Sequence, residues 1–355
     1  MFEPNTPYNK IPLLPGDFDY EQTEVLKLTI KASEAISKLN WLLHLVPNVE
    51  ILISPLLAKE SVESSAIENI NTTTIKVLQS QALWENKING PEKEVLHYHN
   101  AILRWFEQLK KYGWIGYNFM LELQEIIEPN KPWVRKIPGT VIANWEGKIV
   151  YTPPVWKDVI DWLLKNLEVF INSHDDINAL IKMPVIHYQF ESIHPFYDWN
   201  WRTWRILNVL YLVLTKKLDF PVLFLSEYIN KNKSVYYKLL NSTTQTGDYT
   251  DFIIYLLQWI IEQSKNTWGK ILQIKELMQK KEAQIELLHM DYAKITKILF
   301  SFPFLTVTDF AKELWVSRQS ISKNIIKLEE NNIIETLKVW KSKLIYVPEF
   351  IDILA

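Results

Sequence analysis

Five side chains able to handle a proton, a cation or a phosphate fall within twelve residues, HPFYDWNWRTWR, His194 to Arg205. His194 titrates near neutral pH and can take a proton. Asp198 offers hard oxygen to a cation such as Mg²⁺. Asn200 can donate to a phosphoryl oxygen. Arg202 and Arg205 are three apart, so on a helix they share a face and can grip phosphate in bidentate fashion. A helical pattern opens inside the stretch, and the unpaired N–H groups and dipole of a helix N-terminus favour an anion there. These types at this spacing suit the transfer of a phosphate-bearing group.

The stretch resembles the motif of the Fic family, H-P-F-x-D/E-G-N-G-R-x-x-R, through His194, Pro195, Phe196, Asp198, Asn200, Arg202 and Arg205. The flanks HYQFESIHPF and ILNVLYLV resemble it too. RKIPGTVIANWEGKIVYTPP, Arg135 to Pro154, is similar to the family's substrate flap, and LSEYINKNKSVYYKLL, Leu225 to Leu240, to the segment that closes over adenine. The resemblance covers most of residues 5–260.

What it implies is a protein adenylyltransferase that moves AMP from ATP to a Ser, Thr or Tyr hydroxyl of a target protein. His194 would be the general base and Asp198 would hold Mg²⁺. Trp199, Asn200, Trp201, Arg202, Thr203, Trp204 and Arg205 would line the nucleotide phosphates, and Phe196 would anchor the loop. Tyr236 or Tyr237 would meet the adenine. Val141, Ile142 and Ala143 would form the flap edge that pairs with an extended target. Upstream, SSAIEN fits the family's inhibitory pattern S/T-x-x-x-E-G/N through Ser64, Glu68 and Asn69. It implies that Glu68 pairs with Arg205 and that the enzyme inhibits itself.

The chain departs from the family where glycine is expected. Trp199, Trp201 and Trp204 stand in the motif, and Trp41, Trp133, Trp156 and Trp315 stand at other matching positions. Glycine permits positive φ and close backbone approach to phosphate; an indole does neither. Two explanations follow. The chain is a degenerate Fic scaffold that regulates by binding DNA or protein, or glycine is the residue truly specified at these positions. Composition bears on the choice, with 8 Gly against 15 Trp where glycine usually makes up about 7% of a chain.

The elements that must position the motif are mostly helical. Apolar residues recur at three- and four-residue spacing from Glu21 onward, through residues 75–112, 155–173, 177–193, 199–216 and 250–288. Arg135 to Pro154 alternates β-branched and polar residues around a glycine-bearing tip, which predicts a hairpin. His187 lies seven residues before His194 on the same helical face and reads as a packed core residue. His97 and His99 invite a metal reading without a third ligand nearby.

The last part, from Asp291, reads helix, tight turn, helix and two short strands, and resembles a winged helix-turn-helix. Its second helix, from Ser317, carries Arg318, Gln319, Ser320, Lys323 and Lys327, able to reach bases and phosphates. Yet residues 291–355 hold nine Lys/Arg against eight Asp/Glu, thin for phosphate-driven affinity. DNA binding and self-association, including a homodimer, both stay open for it.

The expected organisation is an N-terminal helical region at 1–112 with the inhibitory helix near 60–70, a catalytic core at 113–265, a helical linker at 266–290 and a winged helix at 291–355. The expected fold class is mainly α: a Fic helical fold with a β-hairpin flap and a small C-terminal winged-helix domain. A net charge of −2 gives no global pull toward nucleic acid or anionic membrane. The lack of cysteine excludes disulfides and thiolate nucleophiles and fits a cytoplasmic protein. No leader-like start or membrane-length apolar run is read.

Overall fold

A computed structural model describes residues 2–44, 49–66, 72–83, 91–127, 133–143, 146–339 and 341–354. The chain is mainly helical. In order it forms α1 (Thr23–Leu43), α2 (Glu50–Ala66), α3 (Thr74–Leu83), α4 (Pro91–Tyr112), α5 (Tyr117–Ile127), β1 (Ile142–Ala143) and β2 (Ile149–Tyr151). Then come α6 (Lys157–Asn172), α7 (Ala179–Ile193), α8 (Asn200–Leu214), α9 (Ser226–Lys231), α10 (Lys233–Thr246) and α11 (Thr250–Leu287). The chain closes with α12 (Tyr292–Ser301), β3 (Leu305–Thr306), α13 (Val307–Leu314), α14 (Arg318–Glu330), β4 (Glu335–Val339), β5 (Ser342–Tyr346) and α15 (Pro348–Leu354). Among the described residues no helix is long and apolar enough to cross a membrane.

Two compact units divide the chain by space rather than by sequence order. One holds residues 1–40 and 100–265, the other 41–99 and 266–355. The borders fall inside α1, α4 and α11. The region expected as one piece at 1–112 is therefore shared between the units.

In the first unit, α7 is the central helix. Every residue from Leu180 to Ile193 is buried, the pattern of a helix surrounded by protein on all sides. Asn178 caps it by accepting from the Leu180 N–H at 2.9 Å. Helices α6 and α8 pack on α7, and α5 packs on α6 and α8. Helix α6 shows why periodicity sufficed for it: Ile160, Leu163, Leu164, Leu167, Phe170 and Ile171 are buried at helical spacing. Strands β1 and β2 make the predicted hairpin, with Ile142 opposite Tyr151 and Ala143 opposite Ile149.

In the second unit, β3, β5 and β4 form an antiparallel sheet in that order. Helices α2 and α3 pack there, α2 on α12 and α15, α3 on β3 and β5. Phe300 and Phe350 meet with ring centres 4.8 Å apart. Lys281 is buried, and its ammonium is satisfied by the Asn332 carbonyl at 3.1 Å and the Glu349 carboxylate at 2.8 Å.

Candidate active site

The motif occupies the connection between α7 and α8. His194 ends α7 in left-handed geometry, φ 46 and ψ 60, and its N–H donates to the Phe190 carbonyl at 2.9 Å. Its side chain is half-buried. Trp199 precedes α8, again left-handed at φ 65 and ψ 15, and supplies no side-chain cap. For a bulky residue that geometry costs roughly 1–2 kcal/mol. Between them Phe196 is fully buried and anchors the loop.

The loop is held by partners from far along the chain. Arg135 is buried; its Nε donates to the His194 carbonyl at 2.7 Å and its Nη2 to the Ile193 carbonyl at 3.1 Å. The Arg135 N–H donates to the Pro195 carbonyl at 2.9 Å, and Val134 pairs with Phe196 as a single antiparallel bridge. From α5, Gln124 donates to the Asp198 carbonyl at 3.0 Å and accepts from the Thr203 hydroxyl at 2.8 Å. Tyr197 Oη accepts from the Lys136 and Ile137 N–H groups, and Tyr151 donates to the Ser192 carbonyl at 2.7 Å. The base of the flap and the motif loop are thus tied together. Sequence reading marked Arg135 only as the start of the hairpin and passed over α5. A glutamine on the apolar face of FMLELQEI was the available signal, since a buried amide needs a polar partner.

Several expected roles change in this geometry. Asn200 is buried and does not present its side chain to a ligand: its Oδ1 accepts from the Phe196 N–H at 2.9 Å and its Nδ2 donates to the Phe196 carbonyl at 2.8 Å. It braces the loop instead. Tyr236 is also a correction. It is fully buried, and its hydroxyl lies 2.8 Å from His187 Nε2. Asn208 Nδ2 sits 3.1 Å from His187 Nδ1; an amide N–H can only donate, so Nδ1 accepts and Nε2 carries the proton toward Tyr236. His187 is the packed core residue expected, held neutral by burial and by the charge of Arg205. Tyr237, 40% exposed, is the tyrosine of the pair able to meet a ligand.

Arg202 and Arg205 are both buried on α8. Arg205 Nε donates to the Trp201 carbonyl at 2.8 Å and Nη1 to Ser226 on α9 at 2.9 Å. The Arg202 guanidinium lies over the Trp199 indole, its Cζ 3.5 Å from the ring centre. Trp204 packs against His187 at a tilt, ring centres 3.7 Å apart, and Trp201 meets Tyr237 edge-on at 5.6 Å.

Electrostatics keep the imidazole at position 194 uncharged. Burial, helped by the Arg135 charge, pushes the His194 pKa down to about 4, while the Glu191 backbone and Asp198 pull the other way. The imidazole is neutral at pH 7, although so low a pKa makes it a weaker proton acceptor than one matched to neutral pH. One turn back, burial pushes the Glu191 carboxyl up to about 8 against the opposing pull of Arg205 and Trp204. One of its oxygens is buried without a hydrogen-bond partner. Asp198 is exposed at the loop tip. Among the described residues no trio of His, Asp or Glu gathers into a metal centre, so a cation at Asp198 would draw its other ligands from phosphate and water.

Residues 26–107 match the model of the Fic/DOC family N-terminal region and residues 91–212 that of the Fic/DOC family. The chain belongs to the Fic/DOC family. Solved Fic structures share its fold. A Fic family protein from Desulfovibrio desulfuricans G20 superposes with TM-score 0.58 at 18% identity, over 91% of this chain and 95% of that one. Fic-1 from C. elegans gives TM-score 0.53 at 20% identity, over 69% and 73%. A Fic domain containing signaling protein from Bacteroides thetaiotaomicron VPI-5482 gives 0.52 at 17%, over 69% and 96%. The expected helical Fic fold with its hairpin stands.

Of the proposed inhibitory trio, Ser64 is buried on α2, and Glu68 and Asn69 lie outside the described residues. Val141 is exposed beside β1, and Ile142 and Ala143 form β1 itself, which pairs with β2 alone among the described strands. The fit to a nucleotide is divided. The buried arginines, the α8 N-terminus and the neutral histidine suit it. Against it, the Trp199 indole covers the Arg202 guanidinium and the Trp201 indole lies beside Tyr237.

Proposed function

We propose that this Fic/DOC protein is a nucleotidyltransferase that moves AMP from ATP to a hydroxyl side chain of a target protein. The observation that carries the reading is the neutral, half-buried His194 beside the N-terminus of an arginine-bearing helix. The target would lie as an added strand along β1, past Val141, Ile142 and Ala143. His194 would take the hydroxyl proton as the oxygen attacks the α-phosphorus. The bond to pyrophosphate would break in line, and Arg202 and Arg205 would meet the charge that leaves with it. Asp198 would hold Mg²⁺, which offsets phosphate charge. Glu68 would restrain the enzyme by competing for Arg205, as the pattern around Ser64 and Asn69 suggests.

The test is transfer of label from α-phosphate-labelled ATP to protein, automodification included. His194→Ala is expected to lower transfer about 100-fold or more, the usual weight of a positioned base, with the unfolding temperature unchanged. Equal transfer by wild type and variant would remove His194 from the reaction.

A second reading concerns the C-terminal part. The order α12, β3, α13, α14, β4, β5 supports a winged helix, and Gln319, Ser320, Ser322 and Lys323 of α14 line an open depression of about 560 Å³. A scaffold that binds DNA or a partner protein through α14, with no nucleotide bound, is the alternative. Salt-dependent binding to duplex DNA by a chain that ignores ATP would favour it.

A further inference from the structure

Tryptophan is physically misplaced at two of the positions it holds. Trp315 ends α13 at φ 61. Its N–H donates to the Lys312 carbonyl at 3.1 Å and the following N–H, of Val316, to the Ala311 carbonyl at 3.0 Å. That pair of bonds is the Schellman close, whose left-handed residue is ordinarily glycine because a Cβ is unfavourable there. The same chain closes α4 with Gly113 at φ 62 and α10 with Gly247 at φ 74. The Trp315 ring gains no packing in return, being 88% exposed.

Trp199 repeats the anomaly at φ 65, with no side-chain cap hydrogen bond and with its ring laid over Arg202. Trp41, Trp133 and Trp156 are 61%, 67% and 58% exposed, although tryptophan is a highly buried residue on average. Trp105 and Trp259 behave differently. Both are buried, Trp105 against Phe119 with ring centres 4.0 Å apart, and Trp259 with its Nε1 donating to the Phe224 carbonyl at 3.1 Å. Trp105 and Trp259 thus represent a sheltered class, and Trp199 and Trp315 a class placed where glycine belongs, in a chain with 15 tryptophans and only 8 glycines.

One cause accounts for both classes and for the composition. We propose that positions 199 and 315, and every position that shares their codon, are translated as glycine in the cell that makes this protein. UGG means tryptophan, whereas UGA changes meaning between genetic codes. A UGA read as glycine produces the misplaced set and leaves the sheltered set on UGG. With glycine at 199, and at 201 if it shares the codon, the α8 N-terminus and the Arg202 guanidinium open toward an anion. The ligand class is then the phosphates of a nucleotide. This last step rests on the nucleotidyl-transfer reading above; the decoding does not.

The gene is expected to carry UGA at 199 and 315 and UGG at 105 and 259. Peptide mass spectrometry on protein purified from the native cells is expected to show the 199 and 315 peptides lighter by the indolylmethyl group, and the 105 and 259 peptides carrying tryptophan. Tryptophan in the native peptide at 199 or 315 overturns the proposal. Recombinant protein separates the two claims. Trp315→Gly is expected to raise the unfolding temperature without changing Mg·ATP affinity, and a fall in that temperature counts against the strain argument. Trp199→Gly with Trp201→Gly is expected to tighten Mg·ATP at least tenfold by calorimetric titration. Glycine in the native peptides together with no ATP binding by the glycine form would keep the decoding and discard the transfer reading.

Discussion

Two tryptophans with left-handed backbones each introduce a helix, Trp199 into α8 and Trp315 just ahead of α14, yet the turns around them are built in opposite ways. The turn before α14 is closed locally. Trp315 and Val316 bond back to Lys312 and Ala311, and Ser317 caps the helix by accepting from the Ser320 N–H at 3.2 Å. Its polar side chains, Gln319, Ser320, Ser322 and Lys323, face outward. The loop before α8 is fixed from a distance. Arg135 and Gln124 hold its carbonyls from 59 and 74 residues away in sequence, and Asn200, Arg202, Thr203 and Arg205 are buried. A locally closed turn can change its side chains without loss of shape. A loop fixed through buried polar partners cannot, because each lost partner strands a desolvated group.

The largest expected contrast is in pH dependence, which belongs to the buried loop. Glu191 has its pKa raised from 4.5 to about 8, so the folded state holds a proton that the unfolded state releases. Its contribution is fully present below pH 4.5 and is lost as pH rises through 8. His194 is lowered from 6.5 to about 4 and acts in the opposite direction: stability is present above pH 6.5 and is lost as pH falls toward 4. Glu191→Gln is therefore expected to remove the decline between pH 4.5 and about 8 and keep the acid one. A tenfold difference in proton affinity between folded and unfolded chain is worth about 1.4 kcal/mol, so the change across the window from pH 4.5 to about 8 reaches several kcal/mol at its upper bound, with about 1.4 kcal/mol of it left above neutrality. Urea midpoints across a pH series check this, and an unchanged decline across that window would show that Glu191 is ionised in the fold.

Asn200→Ala comes next. It strands the Phe196 N–H and carbonyl that Asn200 now satisfies, at a cost of about 1–3 kcal/mol, and nucleotidyl transfer is expected to disappear with the loop. The smallest effect falls on the surface turn. Ser317→Ala removes one cap, about 1 kcal/mol, and leaves transfer unchanged. Comparable loss of transfer in the two variants would erase the contrast between the turns. Denaturant unfolding paired with the labelled-ATP assay reads both.

The site was legible where the physics is local. Helix α6 announced itself because burying one face demands apolar residues at helical spacing, α7 and α8 by apolar-rich stretches that end up buried on all sides, and the Arg135 to Pro154 hairpin by alternation and its glycine-bearing tip. The motif from His194 to Arg205 fixed the family and the candidate base, since residue type and order alone carry that information. What the sequence could not determine was the partnership of each side chain. Asn200 turns inward to Phe196, Tyr236 disappears beneath His187, and Gln124 and Arg135 become braces of the loop, because burial and hydrogen bonding depend on which distant segments the fold brings together. The misplaced tryptophans sit on the same boundary. Their number was readable from the chain, but only the backbone, with its positive φ at 199 and 315, decided which of them hold positions that a side chain strains.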